Sequence, residues 1–396
     1  MTDAPAQGPA PALVDEAVGP DLPAGQATAV MAIGVISLLV AGVLPALLGA
    51  LVDEHRLTAA GLGQCATLEG LFMGIATAIA AAALKANHLR PIAIVSSLAL
   101  AVVNLLSMHT HGNGLLVMRA LAGIPEGVML WITIGMIARS ELPERWAGVF
   151  LTALVAAQLV LAMAYAFYVL PRFGADGGFA ALALCALGGI AVAPFLPRRY
   201  EALVQMGEAV GLPSLRGIIA LLATLLYMAA VGAVGIYLQP LAHEAGLDAD
   251  VARTALWVSL AAQIGGGLAA TMLAGRMHYF TAFVIATIAF LTAWILFAFN
   301  IPALVFIAAN ALSGFTLLFV TPFLVPMTIE ADPTRRAAMQ SGAVQVLAGA
   351  LGPLMASFVV GPRDVHGALM LGAGLVLGGL GVIAGLHVYA LRSHQH

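Results

Sequence analysis

The sequence predicts an all-α membrane protein in which twelve transmembrane helices form two bundles of six. Of its 396 residues, 62% are hydrophobic and only 9% are charged, whereas about a quarter of the residues of a typical soluble protein are charged. Apolar runs near the ~20 residues that cross a bilayer as a helix follow one another along the chain. So few charges cannot cover a water-exposed surface, which excludes soluble, disordered and nucleic-acid-binding proteins.

The apolar runs define twelve predicted spans, and the longest polar connection, residues 197–214, divides them into two sets of six. The amino terminus lacks the basic start and cleavage pattern of a signal peptide. The expected organisation is a disordered cytoplasmic tail over 1–26, bundles over 27–196 and 215–391, a cytoplasmic linker over 197–214 and a tail over 392–396. The predicted spans are 27–50, 58–84, 90–108, 114–138, 146–170, 178–196, 215–240, 252–275, 279–299, 301–328, 336–360 and 367–391.

Basic residues predict the orientation of these spans, because cytoplasmic connections retain Lys and Arg. With the amino terminus inside, eleven Lys and Arg residues fall in cytoplasmic connections or the C-terminal tail, and four fall in outer loops. Both termini are therefore expected in the cytoplasm. We further expect a multi-pass protein of the cytoplasmic (inner) membrane of a bacterium.

An internal repeat relates the two halves. The connection between the fourth and fifth spans reads Pro143-Glu-Arg-Trp-Ala147, and 190 residues later the equivalent connection reads Pro333-Thr-Arg-Arg-Ala337. The same offset relates His88 to His278 at the earlier turns. Parallel repeats of this kind are typical of transporters in which two bundles rock about a site near the bilayer midplane.

The start of the fourth span carries a family-like motif, Arg119-Ala-Leu-Ala-Gly123-Ile-Pro125-Glu126-Gly127. With twelve spans, a central connection and basic turns after the second and eighth spans, the chain resembles the major facilitator superfamily over residues 27–391. The added Glu126 is similar to the fourth-helix pattern of that family's organic-anion and spinster-like branches. The resemblance implies that the first, fourth, seventh and tenth helices line a central cavity.

Two features depart from the family pattern. The connection after the second span reads Lys85-Ala-Asn-His-Leu-Arg90 and lacks the acidic residue of the family's charge relay. The fifth span lacks the Gly-Pro element of the family's drug/proton antiporters, which disfavours an exporter. Gating contacts are therefore expected from other residues, namely Lys85, Arg90, Arg145 and Arg335 with nearby acidic side chains.

Three charges lie deep inside the predicted spans, away from the span ends, where an unpaired charge costs roughly 3 kcal/mol or more. At ~1.5 Å per residue, Glu126 lies about 18 Å deep in the fourth span and Glu69 about 16 Å deep in the second. Arg119 precedes Glu126 by seven residues, two helical turns, on nearly the same helix face. The two acids therefore reach similar depth in the same half of the chain.

Each of these charges has a functional and a structural interpretation. Glu126 is a proton-coupling residue, or it forms a permanent ion pair with Arg119 that fixes helix packing. Glu69 is a second proton site, or it pairs with a neighbouring helix. Arg119 offers a planar donor fork for a substrate carboxylate, sulfonate or phosphate, or it bonds to backbone carbonyls and to Glu126.

The C-terminal half has no charge deep within its predicted spans, so its polar side chains supply the other candidate substrate contacts. An aromatic and amide wall opposite an anion site suits a solute with one anionic end and a mostly apolar body. Each of these side chains is also explained by a hydrogen bond between helices. The candidates are Tyr227, Tyr237, Gln239 and Asn310.

The sequence therefore predicts a secondary active transporter that moves a small organic, anionic and partly hydrophobic solute by proton-coupled alternating access. The alternative is a proton-driven exporter of drugs or toxicants with the same fold. The sequence shows no Walker-type nucleotide loop, no metal-ligand spacing among its histidines and no paired cysteine motif. We expect no enzyme activity, cofactor, metal or nucleic-acid partner. The expected partners are the solute, protons and membrane lipids, and the chain is expected to be monomeric.

Overall fold

A computed structural model of the chain describes residues 22–57, 59–200, 212–360 and 366–393. Within these ranges the chain is helical, as predicted, and most of the predicted tail over 1–26 and linker over 197–214 lies outside them. The helices are α1 (Ala24–Asp53), α2 (Ala59–Ala83), α3 (Leu89–Ser107), α4 (Asn113–Ile137), α5 (Pro143–Ala164), α6 (Leu170–Val192), α7 (Leu215–Gly235), α8 (Leu238–Glu244), α9 (Ala249–Leu273), α10 (Tyr279–Phe297), α11 (Ala303–Val320), α12 (Leu324–Ala331), α13 (Arg336–Ser357) and α14 (His366–Ser393).

The helices account for the twelve predicted spans, some of which are interrupted. Ten stretches of the described chain are long and apolar enough to cross a membrane, and one of them, Pro143–Phe195, holds both α5 and α6. The chain changes direction at a kink within α6, at Gly174, whose φ of 59° suits glycine. Helix α13 carries Gln340 and Gln345 and is not among the ten. It completes the set by packing between α2 and α7.

Two spans are each built from two helices. A 3₁₀ turn at Thr321–Phe323 separates α11 from α12, where Pro322 supplies no backbone N–H. In the same half of the chain, Ile236 and Tyr237 separate α7 from the short α8. Both interruptions lie in the spans that the resemblance assigns to the cavity wall, where broken helices are tolerated.

The helices pack into two bundles that meet mainly along two helix pairs. In the N-terminal bundle, α4 packs against α1, α2 and α3, and in the C-terminal bundle, α7 packs against α13 and α14 while α9 packs against α11. Between the bundles, α2 packs against α13 and α5 packs against α9. Each bundle has a core of buried apolar side chains, and one cluster of the N-terminal bundle continues across the interface to Val325, Ala338 and Met339.

We call the end of the molecule that holds the turns around Lys85, Arg139, Arg276 and Arg335 the basic end. Side chains join the two bundles there, because Arg335 Nη1 donates to the backbone oxygen of Ala138 over 2.8 Å and Glu144 Oε1 accepts the N–H of Gly275 over 2.9 Å. Gln340 Nε2 also donates across the interface, to the backbone oxygen of Ala78 over 3.2 Å. The bundles are therefore closed against each other at the basic end.

At the opposite end, Arg56 binds within the N-terminal bundle. Its guanidinium contacts Asp176 Oδ1 at 2.6 Å and donates to the backbone oxygens of Ser107 and Met108 over 2.9 and 2.8 Å. These contacts tie the connection after α1 to α3 and α6, so they hold the N-terminal bundle together as one unit.

Candidate functional site

The candidate site is a cluster of buried charges inside the N-terminal bundle. The Nη1 atom of Arg119 lies 3.1 Å from Glu69 Oε1, and the two side chains are only 1% and 3% exposed. The Nη2 atom donates to Asn104 Oδ1 and to Ser107 Oγ, each over 2.9 Å. The guanidinium also lies 5.1 Å from the ring centre of Phe179. Arg119 is therefore enclosed by α2, α3 and α6.

Close packing between α2 and α4 brings Glu69 to Arg119. A Cβ atom at Gly123 would collide with the backbone oxygen of Glu69, and one at Gly127 would collide with that of Met73. The hydroxyl of Thr77 on α2 donates to the backbone oxygen of Gly127 over 3.0 Å. The two glycines thus let the helix backbones touch, which fixes the register of the acid against the arginine.

Glu126 extends the cluster by one more carboxyl group. It is 2% exposed, and its side chain lies within hydrogen-bonding distance of the Glu69 carboxyl. Each of the two carboxyl groups has one buried oxygen that receives no hydrogen bond from an amide, hydroxyl or guanidinium donor. Two ionised carboxylates in contact repel, and a hydrogen bond between them requires a proton on one. The geometry therefore suits two acids that share one proton beside one guanidinium.

The structure corrects the predicted ion pair between Arg119 and Glu126. The ion pair joins Arg119 to Glu69 of α2, not to Glu126 two turns along α4. The enclosed guanidinium, with partners on α2 and α3, also matches the structural interpretation of Arg119 in this conformation. Asn104 and Ser107 were missed by the sequence reasoning. The sequence does contain a sign of them: the two polar residues lie three apart in an apolar span, and this spacing places them on one helix face.

The C-terminal candidates do not form one site. The hydroxyl of Tyr227 is 3.2 Å from Thr287 Oγ1 on α10, and its ring packs edge-on against Phe283. Asn310 Nδ2 instead donates to the backbone oxygen of Ala255 on α9 over 2.8 Å. Tyr237 is half-buried between α7 and α8, and the side chain of Gln239 lies outside the described part of the structure. Tyr227 and Asn310 thus form hydrogen bonds between helices, which was the alternative to a role in substrate binding.

The predicted gating residues behave differently from one another. Arg335 crosses between the bundles but binds backbone oxygens rather than an acidic side chain, and its φ of 60° lies in the left-handed region. Arg90 Nε donates to the backbone oxygen of Leu196 within its own bundle over 2.7 Å. Lys85 and Arg145 are exposed. Their gating roles stay predictions.

Two further residues at the basic end were not predicted. Glu144 stands beside Arg145 in the repeat motif and is the acid that crosses between the bundles. Arg139 places its guanidinium 5.3 Å from the ring centre of Tyr200. Burial lowers the pKa of Arg139 to about 10, and the nearby charge of Arg335 acts in the same direction. Burial also lowers the pKa of Arg335. Both arginines remain charged at neutral pH.

The fold matches solved structures of transporters, although the sequences are far apart. The human organic anion transporter MFSD10 (TETRAN) superposes with a TM-score of 0.70 at 16% identity, over 91% of this chain and 99% of that one. The major facilitator superfamily transporter FucP in the outward conformation gives 0.69 at 13% identity, over 91% and 98%. The proton:xylose symporter XylE, bound to 6-bromo-6-deoxy-D-glucose, gives 0.65 at 14% identity, over 90% and 93%.

No protein-family model matches the sequence, and no curated protein matches it. The likeness is therefore one of fold, and it confirms the predicted two-bundle fold of the major facilitator superfamily.

Proposed function

We propose that this chain, which has the fold of major facilitator transporters, is a secondary active transporter of a small organic anion that uses proton-coupled alternating access. The observation that carries the proposal is the buried contact between Glu69 and Glu126 beside Arg119. A protonatable pair at membrane depth is a functional site by default, because charges there are costly to maintain. The solved structures with this fold are transporters by description, which favours a carrier over an enzyme.

Counting charges explains how the pair couples to transport. One guanidinium, two carboxyl groups and one proton give a neutral cluster. Losing that proton leaves a net negative charge in an apolar bundle, which is unfavourable until the cluster is hydrated. The same net negative charge repels a substrate anion, so the proton on Glu126 and the anion favour each other's binding.

Helix α2 connects this cluster to the interface between the bundles. Glu69 lies on the same helix as Gly74 and Ala78, which contact α13. A Cβ atom at Gly74 would come within 2.7 Å of Leu347, and Ala78 accepts the hydrogen bond of Gln340. A change in the charge of the Glu69–Glu126 pair therefore acts on a helix that forms part of the interface. Pro125, beside Glu126, removes a backbone N–H from α4 and offers a point of bending.

The class of solute rests on two considerations. MFSD10, described as an organic anion transporter, has this fold, and Arg119 supplies the cation that an anion needs. Placing the basic end in the cytoplasm follows from the bias of Lys and Arg, and on that assignment the structure is closed on the cytoplasmic side. Location in a bacterial cytoplasmic membrane and a monomeric state are part of the proposal.

Uptake into proteoliposomes tests this function. A panel of radiolabelled aliphatic and aromatic carboxylates is compared with the lipophilic cations ethidium and tetraphenylphosphonium, with and without an imposed pH gradient. We expect a carboxylate to accumulate above its equilibrium level only when the pH gradient is present. Protein-free liposomes correct for passive entry of the neutral acids. If the pH gradient drives movement of the lipophilic cations but not of any carboxylate, the proposal is wrong and the exporter alternative is favoured.

A further inference from the structure

A second cluster of polar side chains lies at the basic end of the C-terminal bundle. His278 precedes the first turn of α10, Glu330 lies near the end of α12, and His387 lies in the last turns of α14. One possible ligand atom from each lies within 4.8 Å of the others. His278 Nε2 is 3.7 Å from Glu330 Oε2, and the two imidazole ring centres are 4.8 Å apart.

We propose that His278, Glu330 and His387 bind a divalent transition-metal ion, with zinc as the best match to the donors. Two imidazoles and one carboxylate are a common zinc ligand set, with the fourth position left to water. Ligand atoms of a tetrahedral zinc lie about 3.4 Å apart, so the widest pair must approach by roughly 1.4 Å. The side chains of His278 and Glu330 are 48% and 34% exposed, which leaves them room to make that movement.

Tyr279 orients two of the three ligands. Its hydroxyl donates to Glu330 Oε1 over 2.8 Å and lies 3.5 Å from His387 Nδ1. Since the hydroxyl proton points to Glu330, the tyrosine oxygen is free to accept a hydrogen bond from the Nδ1–H of His387. That tautomer leaves the lone pair of His387 Nε2 available for a metal. The ring of Phe280 stacks on the His387 ring at 4.7 Å between centres, which limits its rotation.

His278 must exchange one bond for another when the metal binds. Its Nδ1 now accepts the backbone N–H of Phe280 over 3.2 Å, which caps α10 and places the ring proton on Nε2. Binding through Nε2 moves that proton to Nδ1 and breaks the capping bond. The loss is small because the N–H lies at an exposed helix start, where water can replace the imidazole.

The three ligands come from separate elements of one bundle, far apart in the sequence, so their spacing along the chain gave no sign of a site. A bound ion would fasten the end of α14 to α10 and α12. It would not link the two bundles, so metal binding is separable from the rocking motion proposed above.

Metal titration of the full-length protein tests this site. The protein is purified with a tag free of histidine, stripped with a chelator, and titrated with Zn²⁺ by calorimetry and with Co²⁺ by absorption spectroscopy. The background variant H394Q/H396Q removes the two histidines at the C-terminus, which are an unrelated source of metal binding. We expect one tightly bound ion per chain in this background. His387→Gln and Glu330→Gln should each lower the affinity by at least about tenfold, and Tyr279→Phe by about tenfold.

His243→Gln is the matched control, because His243 is exposed at the opposite end of the same bundle. It should leave zinc affinity unchanged. Absence of zinc binding in the H394Q/H396Q background, or an affinity that His387→Gln and Glu330→Gln do not change, would overturn the proposal. Thermal unfolding of each metal-free variant checks that the fold is intact. If His387→Gln does not fold, the isosteric Glu330→Gln decides the result.

Discussion

Arg119 pairs with Glu69 across the α2–α4 contact, with 3.1 Å between Nη1 and Oε1, although Glu126 lies two turns away on Arg119's own helix. The ion pair therefore leaves Glu126 as the acid whose neutralisation depends on a proton. This division of roles between two buried acids leads to most of the predictions below.

The two acids should respond differently to neutralisation. Glu69→Gln removes the ionic partner of a buried guanidinium, and breaking such a pair costs roughly 3–5 kcal/mol. Glu126→Gln mimics an acid that already carries a proton, so it should cost within about 1 kcal/mol. Thermal unfolding of both purified variants measures the difference. An equal loss of stability in the two variants would contradict the assignment of the ion pair to Glu69.

The shared proton should be visible by infrared spectroscopy. A protonated carboxyl group has a carbonyl stretching band that an ionised carboxylate lacks. We expect such a band at neutral pH in the parent protein. Because the pair is buried, replacing the bulk buffer should not change this band. It should disappear in Glu126→Gln and remain in Glu141→Gln, whose altered residue is exposed. Persistence of the full band in Glu126→Gln would rule out this proton position.

Close contact between α2 and α4 should be sensitive to one methyl group. Gly123→Ala places a Cβ atom against the backbone of Glu69 and should cost about 1–3 kcal/mol, since backbone cannot move aside as a side chain does. Gly188→Ala is the control, because a Cβ atom there meets no atom within 4 Å. It should be neutral or stabilise α6 by up to about 1 kcal/mol. Thermal unfolding compares the two; equal melting temperatures would argue against the α2–α4 contact.

Arg335 should hold the basic end closed. Its Nη1 donates to the backbone oxygens of Ala138 and Ser140, and hydrogen bonds from charged donors contribute about 1.5–3 kcal/mol each. A cysteine at Ser140, in a background without Cys65 and Cys185, reports on opening through its rate of maleimide labelling. Arg335→Gln should raise that rate by about tenfold.

Arg145→Gln is the control for this measurement. Arg145 occupies the equivalent position of the repeat but is exposed. Its substitution should leave the labelling rate at residue 140 unchanged. A rate that both variants raise alike would assign the effect to lost positive charge rather than to the Arg335 contact.

Much of the fold followed from composition and periodicity, because a bilayer allows few structures other than bundles of apolar helices. Glu69, Arg119 and Glu126 stood out as charges in apolar spans. Their pairing could not be predicted, since it depends on the register that Gly123 and Gly127 set between α2 and α4. Depth along each helix placed the acids at similar levels but did not show which one faces the arginine.

For the polar residues of the C-terminal half, the sequence could not identify the hydrogen-bonding partner. Tyr227 satisfies its hydroxyl with Thr287, and Asn310 binds a backbone oxygen of α9. A polar side chain in an apolar span signals that some partner exists, but the sequence does not say whether that partner is a helix or a solute. His278, Glu330 and His387 likewise meet only because the tertiary fold brings three helix ends together.

Transport by Glu126→Gln in proteoliposomes tests the central claim most directly. The substituted residue is permanently neutral, so the cluster can no longer lose its proton, while Arg119 and Glu69 stay paired. With the carboxylate identified by the uptake panel, exchange between equal internal and external pools should continue at a rate close to that of the parent. Accumulation driven by a pH gradient should disappear, and Glu141→Gln should retain both activities. Gradient-driven accumulation by Glu126→Gln equal to that of the parent would contradict the account.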